Sequence, residues 1–189
     1  MRLHLEEFGD TGGPRVVCLH GVTSHGRHFA KLAGALPGFR ILAPDLLGHG
    51  SSPYGPPWDL ETHLDAIVET VGTAPAILVG HSFGGRLAFE IAARAPKLVP
   101  RLVLLDPAIY VLPHIALFAA ENARKDRAYV SFEEGVSRRY EESQLKTAPR
   151  ELVEEELRRH LMLDDDGRYR YRYCQSTVVA AYGEMASRP

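Results

Sequence analysis

Four short apolar runs mark the first part of the chain: Arg15-Val16-Val17-Cys18-Leu19, Arg40-Ile41-Leu42-Ala43, Ala76-Ile77-Leu78-Val79 and Leu102-Val103-Leu104-Leu105. Each is continuous rather than alternating, as expected of parallel strands buried on both faces. Segments of helical length lie between them, near residues 25–36, 59–72 and 84–95. A looser alternation from Leu3 to Phe8, closed by Thr11-Gly12-Gly13-Pro14, predicts one further strand ending in a turn. Alternating strand and helix predict an α/β fold with a mostly parallel open sheet and right-handed crossovers.

The pattern changes after about residue 110. From Leu112 to Arg188 the chain is rich in charge and reads as mostly helical. Ser131-Phe132-Glu133-Glu134 is a capping-box pattern that starts a helix. Pro149 to His160 is amphipathic, with Leu152, Val153, Leu157 and Leu161 expected on one side, and Glu154 and Arg158 spaced to pair. Asp164-Asp165-Asp166-Gly167 reads as a solvated turn rather than a cation site. Arg168 to Tyr173 alternates basic and aromatic residues and reads as packed tyrosines beside solvated arginines. The expected division is a core over 1–110 and a helical cap or lid over 111–189.

Composition narrows the function classes. A chain of 189 residues with 45% apolar and 24% charged residues suits a globular protein with a sizeable core. Its net charge of −2 gives no electrostatic reason to expect nucleic acid or an anionic membrane as partner, and a small molecule is the expected ligand. The start, MRLHLEEFGD, lacks the apolar core of a signal peptide, so a cytoplasmic location is expected. Cys18 and Cys174 are far apart and carry no disulfide expectation, and the nine histidines show no metal-ligand spacing. No cofactor and no metal is expected.

Chemistry concentrates in three places. Gly80-His81-Ser82-Phe83-Gly84-Gly85 follows one strand run and precedes a helix, the context a G-x-S-x-G nucleophile elbow requires. Gly80 and Gly84 leave room for strand and helix to close on each other, and Ser82 is presented at the sheet edge as the expected nucleophile. The Phe83 amide is the first expected oxyanion donor. Cys18-Leu19-His20-Gly21-Val22 ends another strand run and offers the second, the amide of Val22; His20 itself reads as a turn histidine holding its loop. Ala43-Pro44-Asp45-Leu46-Leu47-Gly48-His49-Gly50-Ser51-Ser52 reads as a structural loop, with no phosphate-cradling lysine beside it.

These three segments and Val103-Leu104-Leu105-Asp106-Pro107, in this order, resemble the α/β-hydrolase superfamily over roughly residues 3–110. The resemblance implies a serine hydrolase acting on an ester, thioester or other activated carbonyl, with residues 110–188 as the cap that covers the pocket and selects substrate. Asp106 ends the strand where some relatives carry the triad acid; a structural carboxylate held at a strand end is the weightier alternative. His25, Phe29 and Trp58 are candidate pocket residues. The family's base, a histidine after the last strand, has no counterpart here: His81 adjoins Ser82 and is expected to point away, while His114 and His160 fall on the presumed cap. The expectation is therefore a truncated hydrolase, weakly active or inactive alone, with the 102–105 strand as an open edge. That edge would take a complementing C-terminal segment or a second copy of the chain. The rival reading is a non-catalytic hydrolase fold that binds a small ligand or a partner.

Overall fold

The computed structural model describes residues 1–142 and 148–189, which form two compact units, Met1–Arg124 with Tyr173–Pro189 and Lys125–Arg172. The first unit is built on a five-stranded sheet of β1 (Leu5–Gly9), β2 (Arg15–Leu19), β3 (Arg40–Pro44), β4 (Ile77–Ser82) and β5 (Leu102–Pro107), in the order β1-β3-β2-β4-β5. Only β1 runs antiparallel, along β3. The other pairings, β2–β3, β2–β4 and β4–β5, are parallel. The strands on either side of β2 arrive from opposite directions of winding, so the strand order switches there. In open α/β sheets the crevice beyond the carboxyl ends of strands at such a point is where ligands bind.

The continuous apolar runs are explained by burial on both faces. Val17, Leu19, Leu42 and Leu78 join one core cluster with Leu64 and Ile67 of α2 (Leu60–Val71) and Phe83 and Leu87 of α3 (Phe83–Arg94). Val16, Cys18, Ile41, Ala43 and Val79 alternate to the other face and pack with Phe29 and Ala33. Ala33 belongs to α1 (Ala30–Gly34), which follows a 3-10 turn over Gly26–Phe29. The expected single helix over 25–36 is thus divided and shortened. Burial pushes the Cys18 thiol up to about 12, which makes it an inert core group. β5 pairs with β4 alone among the described residues, and its Val103 and Leu105 are exposed.

The break between units does not fall at residue 110. Helices α4 (Pro113–Ala123) and α7 (Gln175–Ala186) belong to the first unit, where Ala181 and Met185 enter the main core and Val111 donates its amide to the Met185 carbonyl. The second unit contains α5 (Phe132–Glu142), α6 (Arg150–His160) and a hairpin of β6 (Leu161–Leu163) and β7 (Tyr169–Tyr171) around Tyr129, Val136, Val153, Leu157 and Leu161. Ser131 caps α5 through the Glu134 amide at 3.1 Å, as the capping box requires. Leu152 lies outside that core, on the exposed side of α6. The Asp164–Gly167 segment is a turn, as expected, and it joins a short hairpin within the segment expected to be mostly helical. Among the described residues no group of three or more His, Cys, Asp or Glu side chains is placed to hold a metal ion; Asp164 and Asp166, together with Asp126, hold Arg170. No described helix is long and apolar enough to cross a membrane.

Candidate active site

Ser82 ends β4 and caps α3 with φ 51° and ψ −118°, a backbone conformation that side chains other than glycine's seldom adopt. The corner closes tightly. A Cβ at Gly84 would lie 2.2 Å from the Leu19 carbonyl oxygen, and one at Gly80 would lie 2.4 Å from that of Gly84. Gly84→Ala is therefore expected to lower stability by about 2–3 kcal/mol, as overpacking does where the obstacle is backbone; a urea titration measures it. The Phe83 amide is one of the first-turn donors of α3 that have no acceptor within the helix.

The loop after β2 lies directly against the elbow. A Cβ on Gly21 would come within 2.9 Å of Ser82 Cβ. Gly21 to Ser24 form a turn closed by Ser24 N–H donating to the Gly21 carbonyl at 3.2 Å, with Val22 and Thr23 at its centre and Thr23 at φ 63°. His20 is buried and makes the bonds expected of a turn histidine: Nδ1 lies 2.8 Å from the Gly21 carbonyl and Nε2 accepts the Leu46 amide at 2.9 Å. Asp45 is also structural, its carboxylate accepting the amides of Gly26 at 2.7 Å and Ser51 at 2.9 Å.

Asp106 stands at the neighbouring strand end. His81 pairs with Leu105 and Ser82 with Pro107, so Asp106 is an extra residue in the ladder, a bulge, with φ 43°. The Ala108 amide then returns to the Ser82 carbonyl at 3.0 Å. Thr23, Ser82 and Asp106 are the non-glycine residues with positive φ among the described residues: Thr23 in the loop after β2, Ser82 and Asp106 at the ends of β4 and β5. Backbone strain of this kind gathers at functional sites. The His81 imidazole titrates below its ordinary value, through burial first and His28 second, with Asp106 opposing.

The candidate pocket residues fare unequally. Phe29 is buried in the second core cluster with Val16 and Ile41, at the end of the 3-10 turn. His25 is buried at the start of that turn, and Trp58 packs partly buried against the main core. The described hydrogen bonds include none between a histidine and Ser82. An apolar cavity bordered by Val71, Ala76, Leu98 and Val99 lies by the start of β4, away from Ser82 at its other end.

Two buried histidines escaped the sequence reading. His49 is held neutral, its pKa lowered to about 4 chiefly by burial; His63, on α2 and edge-on to Phe83 at 5.3 Å, is lowered to about 3 for the same reason. An unfolded imidazole titrates near 6.5, so below that pH the unfolded chain binds protons that the folded chain refuses. Stability should be full above pH 6.5 and fall towards pH 4, by about 1.4 kcal/mol per pH unit for each ring. Urea midpoints across this range measure the slope, and His63→Phe should reduce it.

Residues 14–161 match the sequence pattern of the α/β hydrolase fold. The chain belongs to that family. It is an α/β hydrolase. Lipase LipV of Mycobacterium tuberculosis is 36% identical over 97% of this chain and 71% of its own length. The sn-1-specific diacylglycerol lipase ABHD11 of Mus musculus is 38% identical over 52% of this chain, a match spanning 34% of that relative. Among solved structures, E-2-(acetamidomethylene)succinate hydrolase superposes with a TM-score of 0.85 at 22% identity, over 98% of this chain and 70% of its own, a likeness of fold. The hydrolase therefore spans about a third to under three quarters of the length of these relatives.

Proposed function

We propose that this hydrolase cleaves an ester, thioester or other activated carbonyl, with Ser82 attacking the carbonyl carbon and the amides of Val22 and Phe83 receiving the oxyanion. The observation that carries the proposal is the backbone of Ser82, held at φ 51° on the corner between β4 and α3 with Gly21 pressed against it. A binding protein has no use for a serine held in this way. Relatives whose names specify lipase activity favour an acyl ester.

A serine hydroxyl needs a base to take its proton. The reading assigns that role to a histidine from a further segment, docking along the open edge of β5, where Val103 and Leu105 are exposed; self-association along the same edge is the variant of this idea. Asp106, strained at the adjacent strand end, is the acid of the set. Residues 111–189 are assigned the role of the segment that selects substrate. His25 and Trp58 remain as substrate-contacting candidates, and the compartment is cytoplasmic.

Stopped-flow hydrolysis of p-nitrophenyl acetate tests the proposal. Without a base the chain should release about one equivalent of p-nitrophenol slowly and without turnover, because p-nitrophenolate is a good leaving group while the acyl group on Ser82 persists for want of a base to activate water. Ser82→Ala should release none, and Asp106→Asn should leave this first equivalent unchanged, since the acid acts through the base. The absence of a histidine bonded to Ser82 favours one rival, a hydrolase fold that only binds; for it, wild type and Ser82→Ala would behave alike.

A further inference from the structure

We infer that His20 and His49 form a reciprocal brace, each ring carried by one loop and accepting a backbone amide of the other, and that this brace positions the Val22 amide beside Ser82. His20, after β2, accepts the Leu46 amide at 2.9 Å. His49, in the loop after β3, accepts the Thr23 amide at 3.2 Å. The two rings meet edge-on with centroids 5.2 Å apart, and both are almost wholly buried. The inference rests on the proposed role of Val22 in one respect only: the consequence for catalysis.

The tautomers follow from the partners. A nitrogen that accepts from a backbone N–H carries no proton, so Nε2 is bare in both rings. Each neutral ring then carries its proton on Nδ1, which donates to the Gly21 carbonyl at 2.8 Å in His20 and to the Leu47 carbonyl at 2.9 Å in His49. Each histidine thus ties its own loop at one nitrogen and the opposite loop at the other. Val22 lies in the turn between these ties. The Gly21 carbonyl that accepts the His20 Nδ1–H also closes the turn with Ser24, and Thr23, in the same turn, holds its left-handed backbone while bonded to His49. An oxyanion donor displaced by about 1 Å loses much of its effect, so a turn with an unfavoured backbone needs such fastening.

The brace works only while both rings are neutral. A proton on His49 Nε2 would face the Thr23 N–H, donor against donor. The groups around His49 act in both directions. Asp45 favours the charged ring, while His25 from the turn before α1 and His63 from α2 oppose it; His20 and the Tyr173 ring complete the surroundings. Burial outweighs the carboxylate, and the ring stays neutral through the physiological range.

Two variants of His49 separate bracing from packing. Phenylalanine keeps the ring and removes the acceptor; glutamine loses the ring but places an amide oxygen near the position of Nε2. Hydrogen exchange read by NMR should show the Thr23 amide exchanging about tenfold faster in His49→Phe than in wild type, with His49→Gln restoring most of the protection. Long-range proton–nitrogen spectra of the wild type at pH 7 should show both rings protonated on Nδ1. An Nε2–H tautomer at either ring, or Thr23 protection unchanged in His49→Phe, or lost equally in both variants, would overturn the brace. Phosphonylation of Ser82 by a fluorophosphonate is the separate arm. A drop of about 100-fold in His49→Phe, rescued by His49→Gln, ties the brace to the Val22 amide. Loss of Thr23 protection with unchanged labelling overturns the catalytic half, while no labelling even in wild type counts against the proposed function, with exchange still deciding the brace.

Discussion

Replacing Ser82 by alanine should abolish covalent labelling of the chain by a fluorophosphonate, while its far-UV spectrum and unfolding midpoint stay close to those of the wild type. The reagent needs little from a base compared with an ester, because its leaving group is good and the phosphorus is strongly electrophilic. It needs a hydroxyl that is exposed and oriented, and donors for the oxygen that gains charge. Ser82 is half-buried at a strand end, and under the proposed function it meets the first need while the amides of Val22 and Phe83 meet the second. Ser52 has a different setting: its Oγ is buried and donates to the Asp45 carbonyl at 2.6 Å. Alanine removes the hydroxyl alone, so a change of this size in labelling without a change in fold isolates the chemistry. Intact-protein mass spectrometry reads the outcome. Labelling that persists in Ser82→Ala would place the reactive group elsewhere.

The second large effect is on stability. Arg86→Met should weaken the fold by about 3–5 kcal/mol, the range found when one partner of a buried ion pair is removed. Arg86, one turn into α3, is among the largest wholly buried side chains. Its Nε donates to Glu90 at 3.0 Å, and its Nη1 donates to the carbonyls of Ile109 and Ser187. It therefore joins the elbow helix, the segment following Asp106 and the end of α7. Methionine fills similar space but leaves Glu90, among the described residues, with Arg94 at 3.5 Å, on a far more exposed side chain. The carbonyls of Ile109 and Ser187 also lose a donor. Urea unfolding at pH 7 measures the loss. The double variant Arg86→Met/Glu90→Leu should regain part of it, because the stranded charge is gone. A loss below about 1 kcal/mol would show that the pair is not the strut proposed.

How far the sequence revealed this molecule depended on the range of the interactions involved. β2, β3, β4 and β5 were legible because burial on both faces writes a continuous apolar run, and the elbow was legible because its glycines and serine must stand at fixed offsets. β6 and β7 were not, since three residues such as Tyr169-Arg170-Tyr171 are too few to display a period, and their register is set by pairing with Leu161–Leu163. The placement of α7 was equally hidden. Its residues follow the charged segment in the chain, yet Ala181 and Met185 pack into the core of the first unit, a choice made by tertiary packing. The burial of Phe29 is hidden for a related reason: an aromatic beside a motif loop looks available, but at the end of the 3-10 turn it joins a core cluster. His49 stands in a loop whose sequence shows only its glycines and turn residues, and its partnership with His20 spans 29 positions, with no periodic pattern to expose it. The strained angle at Asp106 was likewise invisible, because the bulge that produces it is a property of the β4–β5 register.

The structure of the chain after reaction with a fluorophosphonate tests the geometry most directly. The phosphorus should be bonded to Ser82 Oγ, with its phosphoryl oxygen about 2.7–3.1 Å from both the Val22 and Phe83 amide nitrogens. An adduct at Ser82 whose phosphoryl oxygen faces solvent, or is held by other donors, would contradict the assignment of the site.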